Sequence, residues 1–234
     1  MSKINILGDV HCHTLASVHA FSTIRENIDG ANRKGLKLLA ITDHGIGAND
    51  APPLSYFRNL KSLPKYVDGL RLLKGVEANI MDLEGNLDLP DSILKTLDIV
   101  VVSFHASCVK HGTKEDHTRA YLVLAKNPYV HIMGHSGTPE FEYDLDVVIP
   151  AWRDAGKYIE INAHTFVTRK KSIENCKTIA LACKKYQAPI VVNSDSHHEF
   201  EIGDVSKALE LLEEIDFPKE LIKNASLDWI KSFD

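Results

Sequence analysis

No apolar run in the 234-residue sequence approaches the ~18 residues that a helix needs to cross a bilayer, so no membrane-spanning helix is expected. The first residues, Met1-Ser2-Lys3-Ile4-Asn5-Ile6-Leu7-Gly8-Asp9, are too short in their apolar part, and acidic too early, for a secretory signal. A cytoplasmic protein is expected. Cysteine is scarce: the four residues Cys12, Cys108, Cys176 and Cys183 form no C-x-x-C pair, which argues against a disulfide framework and a thiolate zinc site. Basic residues are not in surplus. With 27 Lys and Arg against 32 Asp and Glu the net charge is −5, which makes long nucleic acid an unlikely partner. No linker, charge block or internal repeat divides the chain. There is no Walker loop and no His-Glu-x-x-His. Gly45-Ile46-Gly47-Ala48-Asn49-Asp50 lacks the third glycine of a dinucleotide loop and runs into Pro52-Pro53, and Gly134-His135-Ser136-Gly137 is one residue short of a nucleophile elbow.

What remains is ordinary globular composition, 44% hydrophobic and 25% charged, in a chain of single-domain length spanning 1–234. Short, nearly continuous apolar runs recur at Ile4–Gly8, Leu36–Thr42, Leu70–Val76, Ile99–Phe104, Val130–Gly134, Tyr158–Ile161 and Ile190–Asn193. Runs of this kind read as strands buried on both faces of a parallel sheet. Amphipathic stretches lie between them. Thr23-x-x-Glu26 is a capping-box pattern, with Ile24, Ile28 and Ala31 on one face before Gly35. Ser172 is placed to cap a helix whose stripe includes Cys176, Ile179, Ala180 and Cys183, so those cysteines read as core. A further apolar face runs through Val205, Ala208, Leu209, Leu212 and Ile215, and Ile80–Pro90 reads as a hairpin excursion.

Twelve histidines, about one residue in twenty, are the unusual feature. Metal-competent side chains follow six of the seven strands: His11, His13 and His19; Asp43 and His44; Glu77; His105; His135; Asp195 and His197. In a barrel of parallel strands every C-terminal strand end reaches one face, where nine of these donors, all but Asp43, would converge. In an open doubly wound sheet they would lie along a line. Convergence favours a TIM-like α/β barrel of parallel strands, in seven strand–helix units. One ion cannot use nine donors. At three or four protein ligands each, with positions left for water, they suit two or three ions.

Asp9-x-His11-x-His13, His19-Ala20-x-Ser22-Thr23, Ile41-Thr42-Asp43-His44, Gly75-Val76-Glu77-Ala78-Asn79-Ile80, His105, His135 and Asn193-Ser194-Asp195-Ser196-His197 together resemble the PHP (polymerase and histidinol phosphatase) phosphoesterases, most closely their bacterial YcdX-type phosphatases. The resemblance spans nearly the whole chain. It implies a distorted (β/α)7 barrel with a trinuclear centre, usually zinc, with manganese or iron also compatible with imidazole and carboxylate donors. Carried over, His11, His13, Glu77 and Asp195 hold one ion, His19, His44 and His197 a second, and Glu77 bridges to a third completed by His105 and His135. Ser136 replaces the proline that often follows the fifth-strand histidine.

Three dications outweigh two ligand carboxylates, so the centre should attract a polyanion such as phosphate. The expected function is hydrolysis of a small phosphorylated metabolite by metal-bound hydroxide. Asp43 is the candidate proton-handling or histidine-orienting group and Asp9 an orienting one. Arg169, in Arg169-Lys170-Lys171, is the candidate phosphate clamp. His111 and His117 are expected in solvent, His131 buried and hydrogen-bonded, His164 near the mouth, and His198 without a specific role. Rival readings are an amidohydrolase-type C–N hydrolase, which needs no counterpart of His19, His44 and His197, and a non-catalytic metal-binding PHP module. The sequence selects no particular substrate.

Overall fold

The computed structural model describes residues 4–49 and 51–234. Met1 to Lys3 of the segment inspected for a signal, and Asp50 of the glycine loop, lie outside them. The strands are β1 (Gly8–Asp9), β2 (Leu38–Ile41), β3 (Tyr66–Val67), β4 (Leu70–Asn79), β5 (Ile99–Ser103), β6 (Ile132–Met133), β7 (Tyr158–Asn162) and β8 (Ile190–Asn193). Interspersed are α1 (Ile24–Arg33), α2 (Leu54–Asn59), α3 (Asp91–Leu94), α4 (Lys114–Lys126), α5 (Leu145–Asp154), α6 (Ile173–Tyr186), α7 (Ser206–Glu214) and α8 (Leu227–Lys231). Strands pair in the order β1-β2-β4-β5-β6-β7-β8, all parallel, and β3 adds an antiparallel pairing at the start of β4. This is the expected distorted, nearly closed (β/α)7 barrel.

The seam between β1 and β8 is closed in two ways. Near the mouth the chain bridges Cys12 to Ser196, with His13 N–H on Ser196 O at 2.9 Å and Asp195 N–H on His11 O at 3.0 Å. Lower down, one side chain substitutes for a ladder. Asn224 Nδ2 donates to Gly8 O (2.8 Å) and Val192 O (2.7 Å), and its Oδ1 accepts from Val192 N (3.0 Å). This wedge explains why the run Ile4–Gly8 yields a strand only from Gly8: the Leu7 N–H is given to Asn224 O. The antiparallel β3 was not anticipated. It forms because Asp68 and Gly69, both at positive φ, turn the chain back onto β4.

Alternation along the strands sorts the core. Leu38, Ala40, Leu73, Ile99, Val101, Ile132 and Val191 point into the barrel, where Trp229 and Ile230 of α8 meet them from below. Leu39, Ile41 and Leu72 face outward beneath α1, while Val100, Val102, Ile159, Ile161, Ile190 and Val192 face outward into the main core, which includes Cys176 and Cys183. The capping box of α1 is present in both directions. Ser172, by contrast, stands at the α6 N-cap without capping it, because the preceding Lys170–Ser172 turn is already helical and flows straight into α6. The hairpin excursion is seen as an Ile80–Leu87 bridge closed by Met81 N–H on Asn86 O. No described helix is long and apolar enough to cross a membrane.

Candidate metal centre

Every parallel strand ends at the same rim, and the side chains just beyond gather there. His13 Nε2 lies 3.1 Å from Asp195 Oδ1, His11 Nε2 is 3.5 Å from the same oxygen, and Glu77 Oε2 is 3.4 Å from His11 Nε2 and 3.5 Å from His13 Nε2. Donors held at about 2.1 Å around a tetrahedral ion stand roughly 3.4 Å apart, so these separations are those of a ligand set. The other Glu77 oxygen, Oε1, is 2.8 Å from His135 Nε2 and 3.5 Å from His105 Nε2, which are themselves 3.2 Å apart. His44 Nδ1 approaches Glu77 Oε2 at 2.9 Å. His19 and His197 meet through their Nε2 atoms at 2.8 Å. Donor triples whose atoms all lie within 4.8 Å of one another include His11/His13/Asp195, His44/Glu77/His105 and His13/His44/His197. Thus the structure brings all nine candidates to one place. In addition to the His19–His197 contact, His13 stands in a triple with His44 and His197, and His44 is set against Glu77 as well.

Burial and charge fit these residues to cations. Glu77, Asp195, His11 and His13 are almost fully buried. Burial opposes ionisation of Glu77 and Asp195, yet surrounding histidines (and Arg169 for Asp195) hold both carboxyls well below their usual range. Burial likewise disfavours a charged His11, but Glu160, Asp195 and Glu77 raise its pKa well above 6.5: positive charge is in demand there. Burial, and then His44, push His13 down to about 3, leaving the neutral imidazole that ligation requires. The buried atoms His11 Nε2 and Glu77 Oε2 have no hydrogen-bond partner, the signature of donors aimed at an ion.

A second layer fixes the rings, and much of it escaped the sequence reading. Glu160, on β7, accepts from His11 Nδ1 (2.8 Å) and Asn193 Nδ2 (2.8 Å) with one oxygen, and from the His135 N–H (2.8 Å) and Asn162 Nδ2 (3.0 Å) with the other. Its signal was available: it is the single acid inside the apolar run Tyr158–Ile161, and alternation with Ile159 and Ile161 turns it inward. Asn79, two residues beyond Glu77, takes the His105 Nδ1 proton on its Oδ1 (2.7 Å), and the Asp195 carbonyl takes that of His197 Nδ1 (3.0 Å). These bonds select the tautomers that present Nε2 to the cluster. Asp195 itself sits at φ 53°, a conformation that costs a non-glycine residue about 1 kcal/mol or more. Gly134 is required where β6 meets β5, since a Cβ there would lie 2.4 Å from Ser103 Oγ.

Asp43 is spent elsewhere. Its oxygens accept from Thr14 N and Oγ1, Ser17 N and Oγ, and the Tyr56 hydroxyl, at 2.6–3.2 Å. That is the geometry of a clamp on the loop carrying His13 and His19, not of a group free to exchange protons. Asp9 similarly accepts from Ser194 N and Oγ and Gly203 N, bracing the loop after β8. Arg169 reaches the cluster, with Nη1 3.0 Å from Asp195 Oδ2. A groove of about 540 Å³ opens beside His105 and His135 and is walled by Arg169, Lys170 and Lys171. Gly45 owes its identity to Asp88, whose carboxylate would collide with a Cβ there (2.3 Å); Gly47 donates its N–H to the same carboxylate, and a Cβ on it would lie 2.5 Å from Met81 Sδ.

Among the remaining histidines, His117 corrects the expectation of solvent exposure. It is buried, donating from Nδ1 to Glu142 O (2.8 Å) and accepting from Gly112 N at Nε2 (2.9 Å), because it sits on the face of α4 turned to Phe104 and Phe141. His111 is exposed. His131 accepts from Val100 N at the far end of the barrel. His164 stacks on His197 at 5.2 Å, and His198 pairs with Glu201 at 3.4 Å.

Known proteins resemble this chain in sequence and in fold. The family model of the PHP domain matches residues 9–215. A protein of Acetivibrio thermocellus named a probable phosphatase is 48% identical over 220 residues, covering 94% of this chain and 91% of its own length. A probable phosphatase of Caldanaerobacter subterraneus is 46% identical over 233 residues, 99% of this chain and 92% of its own. The chain belongs to the PHP family. Within it, the chain stands as a hydrolase of the phosphatase class. At the level of fold alone, it matches the crystal structure of histidinol phosphate phosphatase from Lactococcus lactis, complexed with zinc, L-histidinol and phosphate. The TM-score is 0.64 at 21% identity, covering 90% of this chain and 94% of that one.

Proposed function

We propose that this enzyme hydrolyses a small phosphomonoester at a centre of three divalent cations, zinc being the best match to its imidazole and carboxylate donors. The observation that carries the reading is Glu77, whose two oxygens face separate histidine groups, Oε1 toward His135 and His105 and Oε2 toward His44, His11 and His13. His11, His13, Glu77 and Asp195 would hold one ion; His44 and His197, with His19 and His13 beside them, a second; and Glu77, His105 and His135 a third. When bound, such ions supply Lewis acidity toward phosphoryl oxygens and a nucleophile at neutral pH.

The protein's own part is positioning. Glu160 holds the His11 Nδ1 proton, Asn79 that of His105 and the Asp195 carbonyl that of His197, so the facing nitrogens are unprotonated lone pairs. Asp43 and Asp9 lock the loops after β1 and β8. Arg169, anchored on Asp195 by one amine, directs its remaining donors at a phosphate arriving over the cluster.

Chelator-treated protein should lose p-nitrophenyl phosphate turnover and regain it with zinc or manganese, and elemental analysis should count three ions per chain. One or two ions with hydrolysis of cyclic amides would instead favour the amidohydrolase reading. Full metal loading without turnover of any phosphoester would leave a binding module.

A further inference from the structure

The rim of the mouth is chemically lopsided. On the loops after β1 and β8 large apolar side chains are exposed: Leu15, Val18, Phe21 and Phe200 are 55–74% exposed. The loops after β5, β6 and β7 instead enclose the groove of about 540 Å³ that begins at His105 and His135. That volume lies within the range of small-metabolite sites and far exceeds what a lone phosphate needs. Its chemistry runs in sequence along one wall. Arg169 comes first, tied to Asp195 at the edge of the cluster. Lys170 and Lys171 follow in a short helical turn, both exposed, and neither makes an ion pair or a side-chain hydrogen bond among the described residues. Glu140 is the one acid in the lining, against three cations. A neutral leaving group would gain nothing from two free ammonium groups placed next to the phosphate clamp. An anionic one would complete the pairing.

Resting on the phosphatase reading above, we propose that the preferred substrate carries a second anionic group on its leaving-group side, received by Lys170 and Lys171 in this groove. Two partly exposed ion pairs amount to about a tenfold preference in kcat/KM. Being exposed to solvent, that preference should shrink as ionic strength rises.

Two substrate pairs measure it on the full-length, metal-loaded enzyme. Fructose 1,6-bisphosphate against fructose 6-phosphate reads a second phosphate, and 3-phosphoglycerate against glycerol 3-phosphate reads a carboxylate. We expect at least one pair to favour the doubly anionic member about tenfold, beyond the statistical gain of two cleavable groups. The K170A/K171A double variant should bring that ratio close to one, and K170E/K171E should invert it. The ratio within each variant is the readout, so a change in folded fraction or metal content cancels. Ratios near one in both pairs for the wild type, or a preference that survives the double alanine variant, would overturn the assignment of these lysines while p-nitrophenyl phosphate turnover leaves the phosphatase reading standing. Absence of turnover on every phosphoester would overturn both.

Discussion

The floor and the mouth of the barrel are built from the same strands and share almost nothing chemically. On β4, Leu73 belongs to the floor, and Glu77 and Asn79, on the same face of the strand, belong to the mouth. On β5, Ile99 and Val101 pack against Trp229 and Ile230, and the chain then delivers His105 to the cluster. On β8, Val191 lies in the floor, while Asn193 and Asp195 serve Glu160 and His13. Two to six residues of rise therefore separate a dry apolar layer from a dense set of donors. The floor can be repacked with little consequence for chemistry, whereas the mouth is poorly optimised for stability. Its buried carboxylates and crowded imidazoles, such as His13 and His44 with centroids 4.4 Å apart, repel or strain one another until cations compensate them.

That contrast can be broken from either side. The largest effect is expected at the floor. Trp229, 9% exposed and edge-on to Tyr158 and Phe233, closes the barrel from below. Trp229→Ala should cost about 3 kcal/mol of unfolding free energy, toward the lower end for a buried aromatic. Metal stoichiometry and KM of the folded fraction should stay as in the wild type. A shifted KM at full folding would show that floor and mouth are coupled. In the mouth, Glu160→Gln preserves volume but replaces an acceptor oxygen with an amine, facing either the His11 and Asn193 donors or those of His135 and Asn162. Metal affinity should fall about 10- to 100-fold, as when the outer partners of ligand histidines are lost, and the metal-free protein should also unfold somewhat earlier, because the new amide nitrogen faces two buried donors. Unaltered metal affinity would remove Glu160 from the centre.

Strand alternation and strand-end chemistry made the barrel and the nine donors readable, because both are periodic properties of a local stretch. What stayed hidden depends on where distant segments meet. Asn224 gives no sign in sequence that it stands in for a ladder between Gly8 and Val192. Asp43 looks like a proton carrier beside His44, and only the fold of residues 14–17 and the arrival of Tyr56 show its oxygens consumed. His117 reads as solvated in a polar stretch, yet the orientation of α4 buries it. Grouping of ligands was hardest, since His13, His19 and His44 are separated by angstroms in space and by loop conformation alone. Glu160 was missed for a different reason. Its position was legible, as one acid amid isoleucines, but attention to strand ends passed over the strand interior.

The effect that is smallest at neutral pH, and grows only as pH falls, lies on the floor side, at a histidine that has nothing to do with metal. His131 accepts the Val100 N–H at Nδ1 (3.1 Å), and burial, then the nearby Lys157 ammonium, hold its pKa down at about 4. In the unfolded chain it titrates near 6.5. Between those values the unfolded state binds more protons, so stability falls as pH drops: the contribution is complete above about 6.5 and lost as pH passes through about 4. His131→Asn keeps an acceptor at the Nδ1 position and removes the titration. Differential melting of the two proteins, in which the titrating histidines of the mouth cancel, should show the wild type losing ground to the variant from pH 7 to pH 4. A melting-temperature difference that stays constant across that range would mean that His131 titrates in the folded protein as it does in the unfolded chain, and that its bond to Val100 does not hold as drawn.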